Sequence, residues 1–399
     1  MTESSSANSM VLASNGLRYT LPKPLSTTLV RTFKKNYSQR QSYSETDTIV
    51  FDLNVTGQVD PEVSYLTFKL SSDQGFKFGI NGACSIIRDI RISSKNGVEL
   101  DRIQSFNAWS HLYLSSMVDA AKLAKTGKTA GIASTFALVT QHNIVIPLTW
   151  LSGLFRPHVK GQKVPSHMLS GARIEIQLES VGRALERSTG TSPTAYQVDK
   201  ATLCMMEHTL NDNTLKVLTE ESANNGLEYV YDRVFTSPET SANAVFNNQI
   251  KKAVSQATAV ITTVHLPANQ NNIAANSFES LDPSGVFSKF QYRLGSNYFP
   301  HQVCDTLEEA YQITESTYDS TREKAVVSAT SFTEYESKFF AVGVPLKSEH
   351  SISSSGLAVN NSATIALEFE GDASNKIYYT FLIYTALARC FLNQTTVKI

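Results

Sequence analysis

From about residue 49 onward, apolar and polar residues alternate with a period of two along much of the chain. Ile49, Phe51, Leu53 and Val55 interleave with Val50, Asp52, Asn54 and Thr56, and Leu66, Phe68 and Leu70 interleave with Thr67 and Lys69. Alternation of this kind marks a strand with one buried face. It predicts further strands over 136–148, 173–178 and 201–206, then over 229–235, 260–266, 287–293, 339–344, 363–369 and 377–384. Between Ile90 and Leu100 two such runs are joined by Asn96-Gly97, a pair that readily supplies the two positive φ angles of a tight hairpin turn.

Helical spacing replaces this pattern in two places. Phe106, Trp109, Tyr113, Met117 and Ala120 share one face at steps of three and four, and so do Leu307, Ala310, Tyr311, Thr314 and Tyr318. Asp305 reads as the cap of the second helix, with Glu308 placed to complete a capping box. The stretch 119–135, rich in Ala, Lys, Gly and Thr, reads as a surface loop.

These elements recur. Ile146-Pro147-Leu148 precedes the alternating run 172–179, and Val344-Pro345-Leu346 precedes the alternating run 363–370. Pro147 and Pro345 lie 198 positions apart, Ile174 and Ile365 lie 191 apart, and Trp109 and Tyr113 match Leu307 and Tyr311 at 198. Repeats this long are not solenoid units. They predict an all-β chain of two domains in tandem, each an antiparallel sandwich of the jelly-roll kind with eight strands in two sheets and short helices in the connections. The expected divisions are a basic polar arm over 1–45, extended or partly disordered; a first jelly roll over 46–212; a linker over 213–226 around Asn224-Asn225-Gly226; and a second jelly roll over 227–399. The most apolar stretch, 377–392, contains Arg389 and is too short to span a bilayer, so it reads as one or two buried strands.

Composition agrees with two ordinary cores. The chain has 399 residues, enough for two domains, and its 41% apolar content describes a folded protein. A formal net charge of −1 argues against a dedicated nucleic-acid binder. The charge is uneven, because Arg18, Lys23, Arg31, Lys34, Lys35 and Arg40 face only Glu3 before residue 45. This arm is either a solubilising tail or an inner-surface segment that reaches anionic lipid or nucleic acid through Arg31, Lys34, Lys35 and Arg40, with Phe33 and Tyr37 beside the lysine pair. Cys84, Cys204, Cys304 and Cys390 are too scattered for a disulfide framework or a zinc site and read as buried thiols of a reducing compartment. The Ser- and Asn-rich start carries no signal-peptide pattern.

Little in the sequence carries chemistry. Gly127-Lys128-Thr129 imitates the end of a phosphate-binding loop, but Lys122 stands where the first glycine is needed, so a solvated basic loop is expected. The eight histidines show no metal-ligand spacing, no nucleophile elbow occurs, and Glu220-Glu221 and Glu308-Glu309 read as solvated surface. Sequons start at Asn36, Asn54, Asn360 and Asn393, as chance allows in a chain rich in Asn, Ser and Thr. No catalytic residue, cofactor or metal is expected, and the protein reads as a non-enzyme.

Residues 146–155 (Ile-Pro-Leu-Thr-Trp-Leu-Ser-Gly-Leu-Phe), residues 169–179 (Leu-Ser-Gly-Ala-Arg-Ile-Glu-Ile-Gln-Leu-Glu) and residues 290–300 (Phe-Gln-Tyr-Arg-Leu-Gly-Ser-Asn-Tyr-Phe-Pro) add a resemblance. With the tandem arrangement, over roughly 45–395, the chain resembles double jelly-roll major capsid proteins of tailless icosahedral viruses. These form the adenovirus-like lineage of membrane-containing phages, virophages and Polinton-like elements. The resemblance implies a structural protein made in the host cytoplasm and located in the virion. It implies homotrimeric capsomers of pseudo-hexameric outline that pack against one another, against penton and minor capsid proteins, and through the arm against an internal membrane or the packaged genome. The alternative is a tandem β-sandwich that binds carbohydrate or a receptor, fibre- or lectin-like, with an exposed aromatic platform.

Overall fold

The computed structural model describes residues 28–136, 141–156, 161–188, 190–294, 296–321, 331–347, 357–359, 363–370, 372, 374–391 and 395–398. Among the described residues, sixteen of the strands build two sandwiches. The first contains β1 (Thr28–Tyr37), β2 (Thr48–Asp52), β3 (Gln58–Ser72), β4 (Ile87–Ser93), β5 (Glu99–Ile103), β6 (His142–Pro147), β7 (Arg173–Leu178) and β8 (Tyr196–Leu210). The second contains β9 (Leu227–Ser241), β10 (Val245–Ile250), β11 (Val254–His265), β12 (Phe287–Leu294), β13 (Asn297–Cys304), β14 (Ala341–Pro345), β15 (Ala363–Phe369) and β16 (Lys376–Cys390). The helices used below are α1 (Phe106–Ser116), α2 (Ala120–Thr126), α3 (Asp212–Asn224) and α4 (Leu307–Thr321).

In the first sandwich the sheets run β1-β8-β3-β6 and β2-β7-β4-β5; in the second they run β9-β16-β11-β14 and β10-β15-β12-β13. Each strand of the second sandwich therefore holds the place of the strand eight before it. In both, the first strand pairs with the last, and all these pairings are antiparallel. This is jelly-roll topology. The sequence repeat falls on equivalent elements: Pro147 and Pro345 end β6 and β14, while Ile174 and Ile365 lie in β7 and β15. Ile174 sits between Phe51 and Ile92, and Ile176 between Ile49 and Ile90, so one face of that sheet is a block of buried apolar side chains.

Several expectations need correction. The arm expected over 1–45 ends at Thr28, where β1 begins and pairs along β8 from Arg31↔His208 to Tyr37↔Thr202. The inward side of β1 carries Lys34 and Asn36, held by Glu207 at 3.9 Å and by the Asn54 N–H at 3.1 Å. A strand with polar residues on its inner side gives no apolar alternation, so the sequence pattern does not mark it. Arg18 and Lys23 lie outside the described residues. The linker expected over 213–226 is mostly helix α3, started by the Asn211 side chain accepting the Thr214 N–H (2.8 Å) and followed by Gly226 at φ 76°.

Similar capping turns part of the expected loop 119–135 into α2, with Asp119 accepting the Ala121 N–H, and then into a 3-10 turn over Gly127–Ala130. Thr306, not Asp305, caps α4 by accepting the Glu309 N–H at 3.3 Å. In the hairpin after β4 only Gly97 takes a positive φ, because Ser94 and Val98 close a wider turn than the two-residue kind.

The two rolls share a core. Along β16, Tyr378, Leu382 and Tyr384 point into the second sandwich, while Tyr379, Phe381 and Ile383 join the apolar cluster of the first. Ala259 and Ile261 of β11 and Ala341 of β14 do likewise. The sheet β9-β16-β11-β14 is thus buried on both faces, which explains the nearly unbroken apolar run 377–384.

Candidate assembly surfaces

The seam between the rolls is built from α1, β5 and the turn over Gly153–Phe155 on one side and from β9, β11 and β16 on the other. Trp109 of α1 packs on Phe381 with ring centroids 5.3 Å apart. The Tyr229 hydroxyl donates to the Leu154 carbonyl at 2.9 Å, and the Tyr231 hydroxyl donates to the Leu100 carbonyl. Arg233 reaches back to Glu99 at 3.0 Å and to Asp101 at 3.5 Å, and the Ser152 hydroxyl donates to Asp101. Burial pushes the Asp101 carboxyl up, while the charge of Arg233, the Ser152 hydroxyl and Arg156 draw it back. Burial likewise opposes the charge on Arg233, and Asp101 together with Tyr384, Tyr231 and Glu99 outweighs it. The result is a buried ion pair across the seam.

Two histidines face the same small cavity at the seam, His111 from α1 and His265 from β11, with Phe278, Phe339 and Lys338 among its lining. His265 Nδ1 lies 3.2 Å from the Glu279 carbonyl and Nε2 lies 2.9 Å from the Thr263 hydroxyl. His111 Nε2 is buried without a hydrogen-bond partner. Burial lowers His265 to about 4, and burial with the neighbouring His265 lowers His111 to about 3. Both rings are therefore neutral near pH 7.

The structure does not gather the four cations singled out in the sequence into one free patch. Lys34 pairs with Glu207, and Arg40 pairs with Asp47 at 3.3 Å and lies over the Tyr43 ring at 4.7 Å. Arg31 and Lys35 are exposed on the outer side of β1, alternating with Phe33 and Tyr37. Among the described residues, five of the nine exposed large apolar side chains lie on two strands: Val30 (53% exposed), Phe33 (51%) and Tyr37 (70%) on β1, and Tyr298 and Val303 (both 45%) on β13. On β1 the outer side mixes charge and ring, Arg31, Phe33, Lys35 and Tyr37, so no apolar alternation marks it in the sequence. The exposure of β13 had no sequence signal, because an outward Tyr or Val reads as core.

Among the described residues no group of three His, Cys, Asp or Glu could hold a metal ion, and no helix is long and apolar enough to cross a membrane. All four cysteines are buried and free. Lys128 is exposed on a 3-10 turn, where the phosphate-loop imitation ends. Asn36, the first sequon, is buried.

Strand order, the repeated sandwich and the shared core define a double jelly-roll protein. No family model matches the chain, and no curated protein sequence matches it. Solved structures match its fold along nearly the whole length. The chain superposes on PBCV-1 VP54, as fitted into a reconstruction of the virophage Sputnik, with a TM-score of 0.69 at 10% identity, covering 96% of this chain and 99% of that one. The Faustovirus major capsid protein gives a TM-score of 0.68 at 9% identity, with 94% and 92% covered. A Sputnik virophage structure gives 0.64 at 8% identity, with 98% and 92% covered.

Proposed function

We propose that this chain is the major capsid protein of a tailless icosahedral virion and acts through its surfaces rather than through a pocket. The observation that carries the reading is the pair of topologically equivalent jelly rolls fused through one buried core. Three copies of such a body offer six similar corners, a pseudo-hexagonal tile able to pack into a closed shell. The full-length likeness in fold to the Faustovirus major capsid protein supports it. Penton and minor capsid proteins, and a membrane or genome beneath the shell, are the further partners this role implies.

Light scattering on the purified chain tests the proposal. Three chains of 43.9 kDa give about 132 kDa, with hexagonal outlines in negative stain. A stable single chain at every concentration, together with binding on a sugar array, would support the carbohydrate-binding alternative instead.

A further inference from the structure

We infer that the outer side of β1 in one copy is the docking surface for β13 of a second copy, so that the contact between β5 and β9 inside the chain is repeated between chains. The inference rests on the shell reading above and names the surface through which its building block closes.

The argument starts from equivalent positions. By sheet order, β9 is the counterpart of β1, and β13 is the counterpart of β5. Within the chain β5 lies against β9 through Arg233–Glu99, Arg233–Asp101 and the Tyr231–Leu100 bond. Three of the five residues of β5 are consequently buried, and so are Tyr229, Tyr231 and Arg233 of β9. The counterparts lack such a cover: on β13 only Cys304 is buried, and on the outer side of β1 Phe33 and Tyr37 stand out to solvent. Apolar side chains gathered on two strands, rather than scattered, mark an interaction surface.

Charge agrees with the pairing. Inside the chain the first-roll partner supplies acids, Glu99 and Asp101, and β9 supplies the base. In the proposed contact β1 supplies exposed Arg31 and Lys35, while the end of β13 leads into exposed Asp305, Glu308 and Glu309. Because the two surfaces differ and sit on different rolls, the contact is head-to-tail, the kind that forms a ring when the rotation between copies closes and a filament when it does not.

The experiment compares the wild-type chain with three variants by light scattering, with circular dichroism to establish folding. The wild type is expected to assemble as three chains. Phe33→Glu/Tyr37→Glu and Tyr298→Glu/Val303→Glu are each expected to raise the concentration of half-dissociation at least tenfold. Mixed together, these two variants retain one intact pair of surfaces and are expected to give a one-to-one complex that cannot close. Arg31→Glu/Lys35→Glu, which leaves the apolar residues in place, is expected to dissociate in the same direction, more strongly at low salt.

A wild type that assembles as three chains while all three variants do so equally well overturns the inference and leaves the shell reading standing. Loss of binding to anionic vesicles in Arg31→Glu/Lys35→Glu, with its mass unchanged, also overturns it and assigns β1 to an inner-surface role. A wild type that stays a single chain at every concentration overturns both.

Discussion

Gly153 lies so close to the carbonyl oxygen of Asp232 that a Cβ placed on it would sit 1.6 Å from that atom. The two residues belong to different rolls, so the approach fixes how the turn after β6 seats against β9. The obstructing atom is backbone and cannot swing aside as a side chain would. Gly153→Ala is expected to destabilise the fold by about 3 kcal/mol or more, in the range of severe overpacking. Urea unfolding of the variant against the wild type measures it. A shift below about 0.5 kcal/mol would mean that the seam is looser than the geometry implies.

A second prediction concerns the buried ion pair. Asp101 is fully buried, and Arg233 nearly so. Removing one partner strands the other charge, whereas removing both leaves an apolar seam. Arg233→Met alone is expected to cost about 3–5 kcal/mol, and Arg233→Met with Asp101→Leu is expected to recover most of that loss. The coupling in a double-mutant cycle of unfolding free energies checks it, and additive losses would contradict the pairing.

Much of this fold was legible in the sequence, because burial on one face writes itself as alternation: β7 and β15 fall on the residues read as strands, and α1 begins on the Phe106 read as the first of its apolar face. What escaped has physical causes. β1 turns polar residues inward, so its pattern is inverted. In α3 the residues Asn211, Asp212 and Thr214 resemble a linker until the Asn211 cap is seen. The seam was illegible because Arg233, Asp101 and Gly153 are far apart along the chain, and only the packing of one roll on the other brings them together. The same packing explains why 377–384 reads as unbroken apolar sequence instead of alternating.

The buried histidines make stability depend on pH with a definite sign. Both are held below the ordinary imidazole value, His265 at about 4 and His111 at about 3, so the folded chain binds fewer protons than the unfolded one in mild acid. Their contribution is fully present above about pH 6.5 and is lost as pH falls from there toward the folded values, on the order of 3 kcal/mol for His265 and about 5 kcal/mol for His111. The charge of Arg183 contributes to holding His265 down, after burial. Unfolding free energy measured from pH 7 to pH 4 is expected to fall more steeply in the wild type than in His111→Gln/His265→Gln. Parallel curves would remove the histidines from the account of acid sensitivity.

The last prediction separates the start of the chain from the first strand. If residues 1–40 were a dispensable arm, their deletion would leave the sandwich intact. That deletion, however, removes β1, an edge of the sheet β1-β8-β3-β6, together with the Asn36 bond to Asn54 and the Lys34 pair with Glu207. It also uncovers the outer edge of β8, whose buried Leu203 and Met205 lie opposite Asn36 and Lys34. An unpaired edge of that length invites aggregation. Deleting 1–40 is therefore expected to lower the thermal midpoint by several degrees or give insoluble protein, whereas deleting 1–27 keeps every bond named here and is expected to leave the midpoint within about a degree. Differential scanning calorimetry of the two truncations against the full chain decides it: equal midpoints for both would show that β1 contributes little to the roll, and the strand would then belong to assembly alone.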